Sequence, residues 1–170
     1  MRTRALVYLA GCVLASTACS SSDDSGGSRF RPGSGVCGQF SSELRVEDKF
    51  SQESTLFAPG EPIVFNLRIT NNDDSPAMLG YDGCPFVRFV VSDSSNEGVF
   101  DNVPDGTACT LQLRTVDYAP RETKEFPLEW NQVGSDPGTQ VPAGQYTVNG
   151  RDRSVECAGE LDRTGNFEIQ

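Results

Sequence analysis

The sequence predicts an all-β domain, a sandwich or a barrel, on three observations. From about residue 37 onward, short runs alternate between apolar and polar residues. Clusters of Gly, Pro, Asn and Asp separate these runs, as turns do between strands. No window keeps a helical period of 3.6 residues. Residues 37–170 are therefore expected to form one domain with one core.

The clearest strand spans residues 63–70. Its apolar side chains share one face and its polar side chains the other: Ile63, Phe65, Leu67 and Ile69 against Asn66, Arg68 and Thr70. A period of two over eight residues is typical of a half-buried strand. Residues 71–76, which contain two Asn, two Asp and a Pro, are expected to end it as a turn.

A second strand is predicted at residues 86–92. Its apolar side chains occupy both faces, which indicates a central, well-covered strand. Residues 93–98 form the next turn, and Val99 and Phe100 begin a short return strand.

The remaining strands are shorter. Leu44 and Val46 indicate an opening strand, and Pro127 predicts an edge strand or a bulge within its own segment. The other predicted strands are 109–116, 123–130, one at Tyr146 and Val148, and 166–170. Residues 155–161 fit neither strand nor turn clearly.

The N-terminus has the pattern of a lipoprotein signal peptide over residues 1–18. Two arginines, Arg2 and Arg4, precede an apolar stretch at residues 5–16 that is shorter than the roughly 20 residues a membrane span needs. Small residues at positions 16–18 precede Cys19, an arrangement that resembles a lipobox. Lipid on Cys19 would anchor the chain to a bacterial membrane. A single acyl chain binds a membrane only marginally, but lipoproteins carry several.

Cys12 is an alternative lipid site, because residues 9–12 match the preferred lipobox better. Cleavage before Cys12 would leave an apolar core at the short limit for a signal peptide, which favours Cys19. An ordinary secretory cleavage without lipid is the third possibility. Ser20, rather than Asp, follows Cys19, which resembles default sorting to the outer membrane in a Gram-negative cell.

Residues 19–36 have the composition of a flexible tether rich in Ser, Gly and Asp. Residues 1–18 carry two arginines and no acid, so their removal takes the net charge from −10 to −12. Such a surface repels nucleic acid and anionic headgroups, and we expect no nucleic-acid partner.

The chain contains no histidine. This excludes the usual general base, the commonest zinc ligand and any Ser-His-Asp or Cys-His arrangement. A hydrolase built on two carboxylates would remain possible in principle, but no pair can be identified from the sequence. We therefore expect no enzymatic activity, no catalytic residue and no cofactor.

Four cysteines remain once Cys12 is removed and Cys19 carries lipid. An even number in an exported chain predicts disulfides, and four cysteines allow three pairings. The nested pairing, Cys84–Cys109 and Cys37–Cys157, is favoured because it closes one central segment and ties the ends of the domain together. Their spacing is too wide for a zinc site.

Acidic turns and long loops are the remaining candidate sites. Asp73 with Asp74, and Asp101 with Asp105, lack calcium-loop spacing and are interpreted as turns rather than metal sites. Trp130 is expected to fill the core rather than to bind a ligand. Loops 96–108 and 131–144 are long enough to bind a partner.

Several segments together resemble the intracellular proteinase inhibitor (BsuPI) family over about residues 55–150. The segments that carry the resemblance are Ala58–Glu61, Ile69–Asn72, Phe86–Val91, the Glu129–Trp130 pair and Val141–Gly150. The resemblance implies an immunoglobulin-like antiparallel β-sandwich and a protease as partner, with loop 96–108 or 131–144 inserting into it. The family is named for intracellular inhibitors, whereas this chain has the features of an exported one.

The chain is accordingly predicted to be a non-catalytic binding module displayed on the cell envelope. The resemblance offers no short inhibitory motif to match residue by residue, and a fold does not by itself imply a function. The alternative hypothesis is a structural or adhesive protein that binds another envelope protein or a glycan.

Overall fold

The computed structural model describes residues 36–110, 112–135 and 138–170. They form ten strands and one short 3-10 helix: η1 Val36–Gln39, β1 Phe40–Glu47, β2 Leu56–Phe57, β3 Ile63–Asn71, β4 Ala77–Tyr81, β5 Val87–Asp93, β6 Gly98–Asp101, β7 Arg114–Tyr118, β8 Thr123–Trp130, β9 Gly144–Asp152 and β10 Arg163–Ile169. The predicted signal peptide, Cys12, Cys19 and residues 20–35 of the tether lie outside the described residues. Val36, assigned to the tether from the sequence, is the first residue of η1.

One sheet has the strand order β1-β3-β8. The central strand β3 pairs antiparallel with β1, where Glu47 lies opposite Val64, and with β8, where Trp130 lies opposite Ile63. The four apolar side chains of its inward face are fully buried, which confirms the predicted alternation. The predicted opening strand is also confirmed, as β1.

The second sheet has the order β2-β10-β9-β5-β6. Its ladders are antiparallel, apart from the short β2, which runs parallel to β10. β5 lies between β9 and β6, so the prediction of a central strand is confirmed. Only the face with Val87, Phe89 and Val91 is buried, and the other face is partly exposed. Val99 and Phe100 lie in β6, so the predicted loop 96–108 is interrupted by a strand.

The β4–β7 pair continues the line of the β3–β8 ladder beyond an interruption. The sequence predicts the turn at residues 71–76 but not β4, which follows it directly. The strand predicted at 109–116 is wrong in its position, because pairing with β4 begins at Arg114 and ends at Tyr118. Leu113, which suggested the earlier start because it alternates with polar neighbours, is 53% exposed.

The two larger sheets pack face to face, and the core lies between them. The Phe65 ring of β3 is 5.9 Å from the Phe89 ring of β5 and 5.7 Å from the Phe167 ring of β10. Trp130 is buried and stacks on Phe65 at 5.8 Å, so its predicted place in the core is confirmed. The immunoglobulin-like sandwich is likewise confirmed.

Two disulfides brace this sandwich. Cys37, just before β1, is bonded to Cys157, between β9 and β10, with Cα atoms 5.4 Å apart. Cys84 is bonded to Cys109 with Cα atoms 4.9 Å apart. This is the nested pairing favoured from the sequence. The first bridge therefore ties the start of the domain to its last hairpin.

The strand β8 is an edge strand, as Pro127 predicts. The Asn71 N–H donates to the Glu122 carbonyl across the β3–β8 ladder at 2.9 Å. Because antiparallel pairs alternate, Pro127 then stands at a non-hydrogen-bonded position. Its missing N–H is on the free side of the strand, where it removes a donor that another chain could use.

No helix within the described parts of the chain is long and apolar enough to span a membrane.

Candidate functional site

Three connections meet at one end of the sandwich: residues 48–62, 94–97 and 131–143, of which 136 and 137 lie outside the described residues. β1 and β8 end at the same edge of one sheet, since Glu47 and Glu129 both pair with Val64. β5 ends in the other sheet beside the start of β9, to which the 131–143 connection leads. We call this the distal end, because η1 and the Cys37–Cys157 bridge lie at the opposite, proximal end. Loops gathered on a rigid scaffold are where binding usually occurs.

Gln132 joins two of these connections. Its side chain is 0% exposed. Its amide nitrogen donates to the carbonyl oxygens of Ala58 and Glu61, both at 2.8 Å, and its amide oxygen accepts from the Gly60 N–H at 2.7 Å. One side chain thus satisfies three backbone groups of the 58–61 connection.

The loop after β8 is held by two further side chains. The Trp130 indole Nε1 donates to the Val133 carbonyl at 2.9 Å, and the Tyr146 hydroxyl donates to the Pro142 carbonyl at 2.6 Å. Val133 and Gln140 form a bridge across the loop. The two ends of the loop therefore have a fixed position, which lowers the entropy lost when a partner binds.

The connection at residues 93–97 is a tight turn held by Asp93. Its carboxylate accepts from the N–H groups of Ser95 and Glu97 at 2.8 and 3.0 Å. Asn96 has a φ of 62°, and its N–H donates to the Asp93 carbonyl at 3.0 Å. Asp and Asn suit these positions because they bond to nearby backbone and tolerate positive φ.

The turn at residues 48–52 has the same construction. The Asp48 carboxylate accepts from the N–H groups of Phe50 and Gln52 at 2.8 and 3.0 Å. Ser51 has a φ of 60°, and its N–H donates to the Asp48 carbonyl at 3.0 Å. Phe50 stands at the tip with 71% of its surface exposed.

In each of the two acidic pairs singled out in the sequence, at least one carboxylate is paired with an arginine. Arg88 donates from Nε to both carboxylate oxygens of Asp101, at 3.0 and 3.1 Å, and also reaches Asp105 at 3.2 Å. Asp74 is paired with Arg121 at 2.8 Å. Among the described residues, no group of three or more His, Cys, Asp or Glu could hold a metal ion.

The Arg88 contact also sets the ionisation of Asp101. Burial raises the pKa of this carboxyl, but hydrogen bonds from Arg88 and from the Val103 N–H lower it more, so the pKa lies below its ordinary value. Asp101 therefore stays ionised and holds the segment after β6 in place.

Asp152 is a buried carboxyl that the sequence does not reveal. It is 4% exposed and accepts hydrogen bonds from the Tyr81 hydroxyl at 3.1 Å and from Ser154. Burial raises its pKa above 3.8, although these hydrogen bonds oppose the rise. A group so enclosed does not reach a substrate, so we interpret it as a structural link between β4 and β9.

Three more features of the described residues, Gln132, Arg88 and the turn at Asp48, are not predicted from the sequence, because they act through contacts that periodicity does not detect. The turn at residues 93–98 was predicted, but the hydrogen bonds of Asp93 within it were not. Only the turns had a local signal, an Asp followed three residues later by a residue that adopts positive φ. Loop 131–144 was predicted, and it does lie at the distal end.

The profile of the intracellular proteinase inhibitor (BsuPI) family matches residues 48–156, which is more than half of the chain. The match begins at the Asp48 turn and includes all three distal connections. No curated protein matches the chain.

Solved structures resemble it only in part. A cycloisomaltooligosaccharide glucanotransferase of Paenibacillus sp. has a TM-score of 0.45 at 12% identity, covering 76% of this chain and 14% of that one. An alkylpurine DNA glycosylase of Pseudomonas fluorescens has a TM-score of 0.43 at 12% identity, covering 78% and 30%. A β-glucosidase of Listeria innocua has 0.40 at 13%, covering 76% and 16%. The chain thus spans less than a third of each of these proteins, and no function is transferred from them.

Proposed function

This chain belongs to the intracellular proteinase inhibitor (BsuPI) family, and on that basis we propose that it binds and inhibits a proteinase at the surface of a bacterial membrane. The family match is the observation that carries the proposal. The match includes β2 to β9, without β1 and β10, and the three distal connections, so the part of the molecule that resembles the inhibitors includes the loops available for binding.

The rigidity of the distal end supports the proposal. An inhibitor must present its contact residues in a fixed conformation, since ordering them on binding would cost affinity. Gln132, Trp130 and Tyr146 hold the two ends of the 131–143 loop by hydrogen bonds of 2.6–2.9 Å. Interfaces of this kind change little between the free and bound states.

We also propose that lipid on Cys19 anchors the protein, in the outer membrane if the cell is Gram-negative. The support is the sequence pattern around residues 1–20. The position of η1 agrees with it, because a tether that joins the domain at Val36 would leave the distal loops on the side away from the membrane. β1 alone separates the two ends by about 26 Å at 3.3 Å per residue.

Inhibition is tested with the full-length lipoprotein in detergent. Subtilisin, chymotrypsin and trypsin would each be titrated with it while they hydrolyse a small peptide substrate. We expect stoichiometric inhibition of at least one of them at micromolar concentration. Absence of inhibition, together with recovery of a non-proteinase partner from envelope extracts, would favour the structural or adhesive alternative.

The anchor is tested by intact mass and by detergent partitioning. Wild-type protein and Cys12→Ala are expected to carry the lipid mass and to enter the detergent phase, whereas Cys19→Ala should do neither. The opposite result for the two variants would assign the lipid to Cys12. Mass before and after reduction also counts the disulfides.

A further inference from the structure

Phe50 is the most exposed of the large hydrophobic side chains that the structure describes, at 71%. It is not on a frayed segment. Four hydrogen bonds close the 48–52 turn: two to the Asp48 carboxylate, one to its carbonyl and one from its N–H to Gln52. A single exposed apolar side chain is ordinary in itself, so the weight of the argument lies on the hydrogen-bonded turn, which fixes the backbone that carries the ring.

The 93–97 turn provides an internal comparison. Its backbone has the same four hydrogen bonds, and Asn96 takes the position of Ser51 with nearly the same φ, 62° against 60°. At the position that corresponds to Phe50 it carries Ser95. The turn geometry therefore does not require an aromatic residue.

The position of the turn fits a contact residue. It lies at the distal end, at the opposite end of β1 from η1. Aromatic side chains dominate the energy of protein interfaces because they bury a large area at a small loss of conformational entropy. A ring that projects from a preformed turn can enter a concave site without rearrangement.

We propose that Phe50 is the primary specificity residue of this protein and enters an apolar side-chain pocket of the target proteinase. This rests on the proposed inhibitory function. The partner class is a proteinase with a deep hydrophobic pocket, as in chymotrypsin, rather than one with an acidic pocket, as in trypsin. The 48–52 turn, and not the longer 131–144 loop, supplies the main contact.

Lys49 is the competing candidate at the same tip. Its Nζ stands 5.1 Å from the centroid of the Phe50 ring, so the cation and the ring share one surface. A trypsin-like proteinase would select Lys49 instead. The two assignments predict opposite results with opposite proteinases.

The test compares full-length wild type with Phe50→Ser, which installs the residue found at the matching place in the 93–97 turn. The readout is the inhibition constant against chymotrypsin and trypsin. We expect wild type to inhibit chymotrypsin more strongly, and Phe50→Ser to weaken that inhibition about 30-fold or more. Lys49→Ala should change it little.

Two controls separate Phe50 from exposed apolar surface in general. Leu113→Ala removes an exposed hydrophobic side chain near the Cys84–Cys109 bridge, far from the 48–52 turn along the chain, and should leave inhibition unchanged. The double variant Phe50→Ser/Ser95→Phe places the ring on the matching turn and should not restore inhibition. Circular dichroism would show that each variant is folded, which is expected because these side chains are exposed.

Each outcome has a distinct meaning. Equal inhibition by wild type and Phe50→Ser would overturn the role of Phe50 and leave the inhibitory function standing. If wild type inhibits trypsin and Lys49→Ala does not, the specificity residue is Lys49 and the proposed role of Phe50 is overturned. No inhibition of any proteinase by wild type would remove the proposed function and this inference with it.

Discussion

Gln132 holds two distal connections together through a single amide. Its three backbone partners, Ala58, Gly60 and Glu61, are more than 70 residues away in the chain. Asp152 has a similar role at the other end, where it links Tyr81 to Ser154. Both residues are polar and buried, so each must be fully hydrogen-bonded to be tolerated.

Replacing Gln132 with Ala should lower the free energy of unfolding by about 2–3 kcal/mol, since three backbone groups lose their partner. Urea denaturation of both proteins measures the difference. Gln140→Ala is the matched control: the same residue type in the same loop, exposed, with one hydrogen bond to the Asn131 carbonyl. Its effect should stay within about 0.5 kcal/mol. Equal effects of the two substitutions would show that the amide does not connect the loops.

The pKa of Asp152 predicts a pH dependence of defined sign. Because the folded pKa is raised above 3.8, folding favours the protonated carboxyl. The stability it contributes is greatest below 3.8 and is lost as the pH rises through the folded pKa. Asp152→Asn, which stays neutral, should therefore gain stability relative to wild type over that interval.

Wild type must be compared with a variant, because other carboxyls change the stability with pH in the opposite direction. The pKa values of Asp74, Asp101 and Glu122 are lowered, so their contribution is lost as the pH falls. The difference between wild type and Asp152→Asn, measured by denaturation at several pH values, cancels them. Asp117→Asn, on the exposed side of β7, is the control. A wild-type advantage that grew with pH would contradict the prediction.

At the scale of single elements, the two edge strands of the β1-β3-β8 sheet are protected differently. β1 is partly covered by the returning chain, since the Ser54 N–H donates to the Val46 carbonyl at 3.0 Å. β8 is protected by Pro127, whose imide faces the free side. An edge without such a device pairs readily with other chains.

Pro127→Thr should increase self-association, because it restores an N–H donor on a β-branched residue at the free edge. Light scattering after size-exclusion chromatography, over a range of concentrations, would detect it. Pro142→Thr, an exposed loop proline, serves as the comparison. If both variants behave as wild type does, the proline is not what protects the edge.

On the scale of the whole molecule, the two disulfides close loops of very different length. Cys37 and Cys157 are 120 residues apart, and Cys84 and Cys109 are 25 apart. The longer loop includes nearly the entire sandwich. A bridge that closes it removes more conformations from the unfolded chain.

Replacing both cysteines of a bridge with Ser should therefore destabilise unequally. The loop-entropy relation gives a loss of about 5 kcal/mol for the Cys37–Cys157 bridge and about 3.5 kcal/mol for the Cys84–Cys109 bridge. Denaturant titration of the two double variants measures both losses. A larger loss for the shorter loop would mean that local packing, not chain entropy, decides the stability.

The strands β3, β5, β8 and β10 could be predicted from the sequence, because a period of two is a local property of neighbouring residues. The even number of cysteines predicted two bridges. Pro127 predicted an edge strand because proline lacks the N–H that a strand paired on both sides would need. β4 was missed because its residues, Ala77–Tyr81, do not alternate between apolar and polar, so only pairing with β7 shows it to be a strand. β7 was misplaced because its first paired residue depends on β4.

Sequence alone thus determined the all-β class, the main strands and the resemblance to an inhibitor family. Only the tertiary structure decided which side chains are enclosed and which are presented. Gln132 and Asp152 are polar and yet buried, whereas Phe50 is apolar and yet exposed. Burial is set by contacts between residues distant in the chain, and no pattern within a short window contains them.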